Sequence, residues 1–162
     1  CFAKEAFILT WSVREKILNF PPDVVFKLLT DFERLGHAIP SLRRIEYLSD
    51  VKRGVGTRTR WYAGVGIASE GGAVMEWEEE VTAFIENELI GFKVLNPDAP
   101  FTGFLRVYPY DMGTKSFVVF AENHDYEGAD ISKIREFMMG QLNFMEKELQ
   151  CELKDDSHKE TA

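Results

Sequence analysis

The clearest hydrophobic pattern lies at the end of the chain. From Asp130 to about Leu153 the apolar residues fall at Ile131, Ile134, Met138, Leu142, Met145, Leu149 and Leu153. Steps of three and four put these residues on one face of a helix. Phe137, Phe144 and Cys151 make a second row that widens the stripe. The spacing predicts a long closing helix, and a face this wide needs a large partner. The only large partner on offer is a sheet built by the preceding residues. A sheet wrapped around one long helix encloses a cavity.

The earlier pattern is that of strands. Between about Lys4 and Leu18, Phe7, Leu9, Trp11 and Val13 share one alternation phase, and Thr10, Ser12, Arg14 and Lys16 share the other. That alternation predicts a half-buried strand. Phe20-Pro21-Pro22-Asp23 ends it, and the proline pair opens a short helix over Val24–Leu29. Asp31 can cap a second short helix, Phe32 to about Ala38, which stops before Pro40. Strands are then predicted at Arg43–Leu48, Gly56–Ala63, Ala73–Phe84 and Leu89–Leu95, with a glycine-rich loop from Gly64 to Gly72. Thr102–Tyr110 and Thr114–Asn123 form a hairpin across Asp111-Met112-Gly113. The closing helix follows, and Lys154–Ala162 is a polar tail. The domain expected is therefore residues 1–153, with 154–162 as tail. Short, turn-bearing connections favour antiparallel pairing, so the class is α+β rather than a doubly wound parallel sheet.

Composition narrows the function. The 162 residues are 45% hydrophobic and 13% aromatic, enough for one folded core. Thirteen phenylalanines can fill that core or line a pocket for a greasy or planar ligand. The net charge of −8 repels polyanions, which argues against nucleic acid and against an anionic membrane surface. No stretch approaches the roughly 20 apolar residues needed to span a bilayer. Cys1 and Cys151 give no disulfide framework, and Cys151 reads as a small core hydrophobe. No charged-then-apolar leader stands at the front, so we expect a cytoplasmic protein. No HxxxH, HExxH, CxxC or EF-hand pattern is present, so neither a metal nor another cofactor is expected.

Several short motifs resemble one family. Pro21-Pro22-Asp23-Val24-Val25-Phe26 and Leu29-Thr30-Asp31-Phe32-Glu33-Arg34 are similar to the "APxxVWxLLxDFxRxxxWxP" stretch of the START-like, or helix-grip, superfamily, also called SRPBCC. Val55-Gly56-Thr57, Trp77-Glu78-Glu79-Glu80-Val81 and Gly113-Thr114 resemble its strand entry, its central "WxExV" strand and its "GGT" hairpin. The subgroup most resembled is the polyketide cyclase/dehydrase and lipid-transport proteins. The resemblance implies a helix-grip fold: a curved antiparallel sheet of about six or seven strands around the long C-terminal helix, with two short helices after the first strand. It also implies a deep apolar cavity. Members of the superfamily include aromatase/cyclases, lipid and sterol carriers, quinone-binding proteins and relatives that bind a chaperone.

The residues that could carry chemistry are few. Glu79 shares its phase with Met75, Trp77 and Val81, whereas Glu76, Glu78 and Glu80 share the other. If the apolar phase faces inward, Glu79 alone enters the cavity, and burial would raise its pKa and fit it for general acid or base work. Otherwise it sits at the cavity mouth or pairs with a cation. Arg58 and Arg60 stand opposite the outer glutamates and read as cross-strand ion pairs. Arg106 alternates with Phe104 and Tyr108. If that phase faces inward, Arg106 could hold a ligand oxygen and Tyr108 could donate to it. The opposite phase, Gly103, Leu105 and Val107, is equally apolar, so the facing stays open. His37 ends the second short helix and reads as solvent-facing or as a proton shuttle. His124 reads as a turn residue and His158 as part of the tail.

The expected ligand-binding walls are Trp61, Trp77, Phe92, Phe104, Met138, Leu142 and Met145, with Glu79, Arg106 and Tyr108 as the candidate catalytic set. The function expected first is binding of a lipid, quinone or polyketide-like molecule. The alternatives are a cyclase/dehydratase acting in the same cavity and a protein-interaction module.

Overall fold

The computed structural model describes residues 11–38, 42–64, 74–124, 126 and 128–159. The first-strand residues before Trp11, Cys1, residues 65–72 of the glycine-rich loop and the side chains of His37 and His158 lie outside the described residues. Seven strands form one antiparallel sheet: β1 (Trp11–Leu18), β2 (Leu42–Tyr47), β3 (Arg58–Gly64), β4 (Val74–Ile85), β5 (Leu89–Val94), β6 (Phe101–Tyr110) and β7 (Lys115–Asn123). Their order across the sheet is β1-β7-β6-β5-β4-β3-β2. Consecutive strands pair everywhere except between β1 and β2, which occupy opposite edges. The helices α1 (Pro22–Leu29) and α2 (Phe32–Ala38) join those two edges.

Local chemistry sets the helix ends. Pro22 opens α1 where a missing N–H costs nothing, and Val25, Phe26, Leu28 and Leu29 turn inward. The Thr30 hydroxyl and amide both donate to the Phe26 carbonyl, at 2.9 and 3.1 Å, which closes the helix. The Asp31 carboxylate accepts the Arg34 amide at 3.0 Å, the expected cap of α2. The β6–β7 hairpin turns through Asp111, Met112 and Gly113, whose φ values of 50°, 58° and 84° are left-handed. Glycine takes such a backbone without strain, whereas the fully exposed Met112 carries a cost.

The closing helix α3 spans Ile131–Lys159, so helical backbone continues beyond Leu153 into the stretch expected to be a tail. Met138, Leu142, Met145 and Leu149 are its buried row. It lies along β1, where Lys16 Nζ reaches Asn143 Oδ1 and Glu146 Oε2, both at 2.7 Å. Arg34 ties α2 to it through Glu148 and Glu152. Cys151 is exposed, contrary to the expectation of a core residue.

The two faces of the sheet differ. On β2–β5 the outer face is a ladder of charges in which Arg58 and Arg60 both pair with Glu78, at 2.9 and 2.7 Å, and Lys93 pairs with Glu80 at 3.2 Å. Exposed pairs of this kind contribute about 0–1 kcal/mol each. On β1, β7 and β6 the outer face carries more apolar side chains, with Glu15 and Arg106 among them. The expected phase of β1 is reversed: Trp11, Val13 and Ile17 are 42–44% exposed, while Ser12 and Leu18 are buried. Among the described residues no helix is long and apolar enough to cross a membrane.

Candidate functional site

The inner face of the sheet, α1, α2 and the first half of α3 enclose a cavity of about 350 Å³. Leu29, Phe32 and Leu35 close one side. Ile134, Phe137, Gln141 and Met145 come from α3, with Phe137 at the rim, 43% exposed, beside Lys133. The floor is the inner phase of β3–β7.

Strand register builds the floor in rows. Thr59 pairs with Glu79, and Trp61 with Trp77, so two indoles and their polar neighbours face the cavity side by side. The Trp rings stack at 5.9 Å with 17° between their planes. Trp61 Nε1 donates to Thr59 Oγ1 at 2.8 Å, and Trp77 Nε1 donates to Glu79 Oε1 at 2.7 Å. Each indole N–H is thus satisfied without facing the open space. Phe92 and Phe120 continue the wall, their centroids 6.3 Å apart. Gly103 lies under the Phe92 ring, and a Cβ there would meet Phe92 Cζ at 2.5 Å and the Ala121 carbonyl at 2.8 Å. Only glycine lets that ring lie flat on the strand.

Polar groups gather along one part of this wall. Burial pushes the Glu79 carboxyl up to about 8; the Trp77 hydrogen bond opposes the shift and the Glu122 carboxylate adds to it. Near neutral pH Glu79 is therefore mostly a neutral acid, able to donate. Glu122 and His124 follow on the inner phase of β7, both buried, with Glu122 Oε2 2.8 Å from His124 Nε2. The His124 ring stacks on Phe101 at 4.2 Å and meets Tyr126 edge-on at 5.7 Å. Burial, helped by Glu122, raises the Tyr126 phenol above its usual range. Among the described residues no group of three or more His, Cys, Asp and Glu is placed to hold a metal ion.

The structure brings together Glu79, Trp61, Trp77, Phe92 and Met145 of the residues expected from the sequence. Met138 and Leu142 are fully buried in the core behind the cavity wall. Arg106, Tyr108 and Phe104 lie on the outer face. Arg106 pairs with Glu88 and lies over the Tyr108 ring at 5.0 Å, and Phe104 meets Trp11 at 6.0 Å. The inward reading of that phase is corrected: Gly103, Leu105 and Val107 take the inside. Turned outward, the guanidinium keeps its contact with solvent and meets the Glu88 carboxylate. Glu122 and His124 are cavity residues that the sequence reading misses. The available signal is the phase Ser116, Val118, Phe120, Glu122, His124, in which two polar residues continue an apolar inner row.

The sequence matches the family model described as "Polyketide cyclase / dehydrase and lipid transport" over residues 10–155. No curated protein sequence matches it significantly. Solved structures with the same fold include Ara h 8.0201, with a TM-score of 0.71 at 16% identity, covering 88% of this chain and 99% of the other. Another is the Zhui aromatase/cyclase of Streptomyces sp. R1128, with a TM-score of 0.68 at 15% identity, covering 88% and 94%. A third, a protein from Thermus thermophilus, has a TM-score of 0.69 at 18% identity, covering 88% and 98%. At these identities the structural likeness shows the fold, and the match over residues 10–155 shows that the chain belongs to the polyketide cyclase/dehydrase and lipid-transport family of the START-like superfamily.

Proposed function

We propose that this chain binds a hydrophobic small molecule (a lipid, quinone or polyketide-like compound) in the cavity between sheet and α3. The observation that carries this reading is the cavity itself: about 350 Å³, walled mainly by Trp61, Trp77, Phe92 and Phe120. That volume falls within the roughly 300–1,000 Å³ common for small-molecule sites. The net charge of −8 keeps nucleic acid out of the picture, and a cytoplasmic location is part of the same proposal. Native mass spectrometry of purified protein, followed by organic extraction, is the test. A co-purifying or readily loaded apolar compound at one per chain supports the reading. Failure to take up any lipid, quinone or polyaromatic compound overturns it.

A second reading, a cyclase or dehydratase, is favoured by one observation. Glu79 and the Glu122–His124 pair line the same cavity, which supplies both an acid and a base. Incubation with a model poly-β-ketone should then give cyclised or dehydrated product, and Glu79→Gln should abolish it. Unchanged turnover in that variant would remove Glu79 from the chemistry.

A further inference from the structure

Two carboxyls line the cavity, and they differ in access. Glu122 is buried, whereas Glu79 keeps part of its surface. Thr59 and Val94 flank Glu79 across the sheet, and the outer face carries the opposite phase, so the surface it keeps opens into the cavity. Trp77 Nε1 donates to Glu79 Oε1 at 2.7 Å, and Oε2 takes no hydrogen bond among the described residues. No described cation meets this carboxyl. Arg58 and Arg60 are held by Glu78 on the outer face, and Lys133, at the cavity rim, is mostly exposed and pairs with Asp130 at 3.4 Å. The other titratable groups lining the cavity are Glu122, His124 and Tyr126 on the β7 side and Lys133 on α3; the lining residues of α1, α2, β3, β5 and β6 are uncharged. Glu79, Glu122 and His124 together carry a positive charge only if all three are protonated at once. The polar part of this apolar chamber is therefore acidic and lacks a cation.

We propose that the cavity takes a hydrophobic amine, an apolar ring-bearing body whose ammonium group pairs with the Glu79 carboxylate. The pairing does not depend on which group holds the proton beforehand. An ammonium ion displaces the acid's proton to water, a neutral amine takes that proton, and both routes end in the same ion pair. A buried pair needs further polar support, and the Trp77 indole N–H already supplies it to the carboxylate. The aromatic walls of Trp61, Trp77 and Phe92 suit the cation and the apolar body alike. A fatty acid, or any other anion, would meet Glu79 and Glu122 with no cation to balance it. The proposal rests on the cavity-binding reading above.

The experiment compares three naphthalenes by isothermal titration calorimetry near neutral pH: naphthylmethylamine, naphthylmethanol and naphthoate. The ammonium ion is far more strongly hydrated than the alcohol, so partitioning alone favours the alcohol. Wild type is expected to bind the amine about tenfold more tightly than the alcohol, or better, and to bind naphthoate most weakly. In Glu79→Gln the order of amine and alcohol should reverse. Should that variant fail to fold, carbon-13 NMR of the Glu79 carboxyl in wild type reads the same point, and the carboxyl should be ionised in the amine complex. An alcohol that binds as tightly as the amine, naphthoate that does so, a preference for the amine that survives Glu79→Gln, or a neutral Glu79 in the amine complex overturns the proposal while the cavity reading stands. If none of the three compounds binds, both fall.

Discussion

Replacing Glu79 with Gln should make the protein more stable, and more so as the pH rises. Burial has pushed this carboxyl from 4.5 up to about 8, so the folded protein keeps a proton that the unfolded chain releases above 4.5. Wild type therefore loses stability as the pH climbs from 4.5 to about 8, and the loss levels off once the folded group ionises too. At roughly 1.4 kcal/mol per pH unit, the separation sets a ceiling of about 5 kcal/mol. Water entering the cavity lowers this, so about 2–5 kcal/mol is expected. The substituted amide cannot ionise, and its oxygen can still accept the Trp77 indole proton. Urea unfolding of both proteins from about pH 5 to about pH 9 measures the difference. It should be small at the acid end, grow through neutrality and reach a plateau above about pH 8. A difference that does not change with pH would refute the claim that Glu79 is held neutral by burial.

Three further outcomes follow from the geometry. Trp77→Ala should weaken binding of apolar ligands about tenfold, measured by calorimetry, since it removes one wall and the donor that orients Glu79. Gly103→Ala should lower stability by roughly 1–3 kcal/mol in urea unfolding, because the Ala121 carbonyl at 2.8 Å is backbone and cannot step aside. Arg106→Ala should change stability by less than about 1 kcal/mol and leave ligand affinity unchanged, since its pair with Glu88 is exposed on the outer face.

Charge makes part of the sheet readable in advance. On β3 and β4 the alternation carries Arg58, Arg60, Glu76, Glu78 and Glu80 on one side, and water claims that side, so Trp61, Trp77 and Glu79 have to face in. On β6 both phases are largely apolar and hydrophobicity alone cannot choose, while on β1 the alternation points the wrong way, because the polar phase of Ser12, Arg14 and Lys16 faces the closing helix. Trp11 and Val13 end outside while Ser12 goes in, and Arg106 goes out while Leu105 goes in. Those choices are set by pairing, because Ser12 lies opposite Glu122, and Leu105 opposite Ile90 and Phe120. The closing helix is legible because its repeat is long and regular, although Cys151 shows that a widened stripe can overreach the buried face. His124 has the sequence signature of a turn residue because it follows the last strand residue. Only tertiary packing against Phe101 draws it into the cavity.

The stacked indoles also give the protein an optical property. Trp61 and Trp77 lie 5.9 Å apart and nearly parallel, close enough for their electronic transitions to couple into a shared near-ultraviolet circular dichroism band. Both border the cavity, so a guest that tilts or parts them would change the sign or size of that band without any label. The third tryptophan, Trp11, stands half-exposed on the far side of the sheet. Packed against Phe104 on the outer face, it has no contact with the cavity's lining side and its signal is expected to change little as the cavity fills.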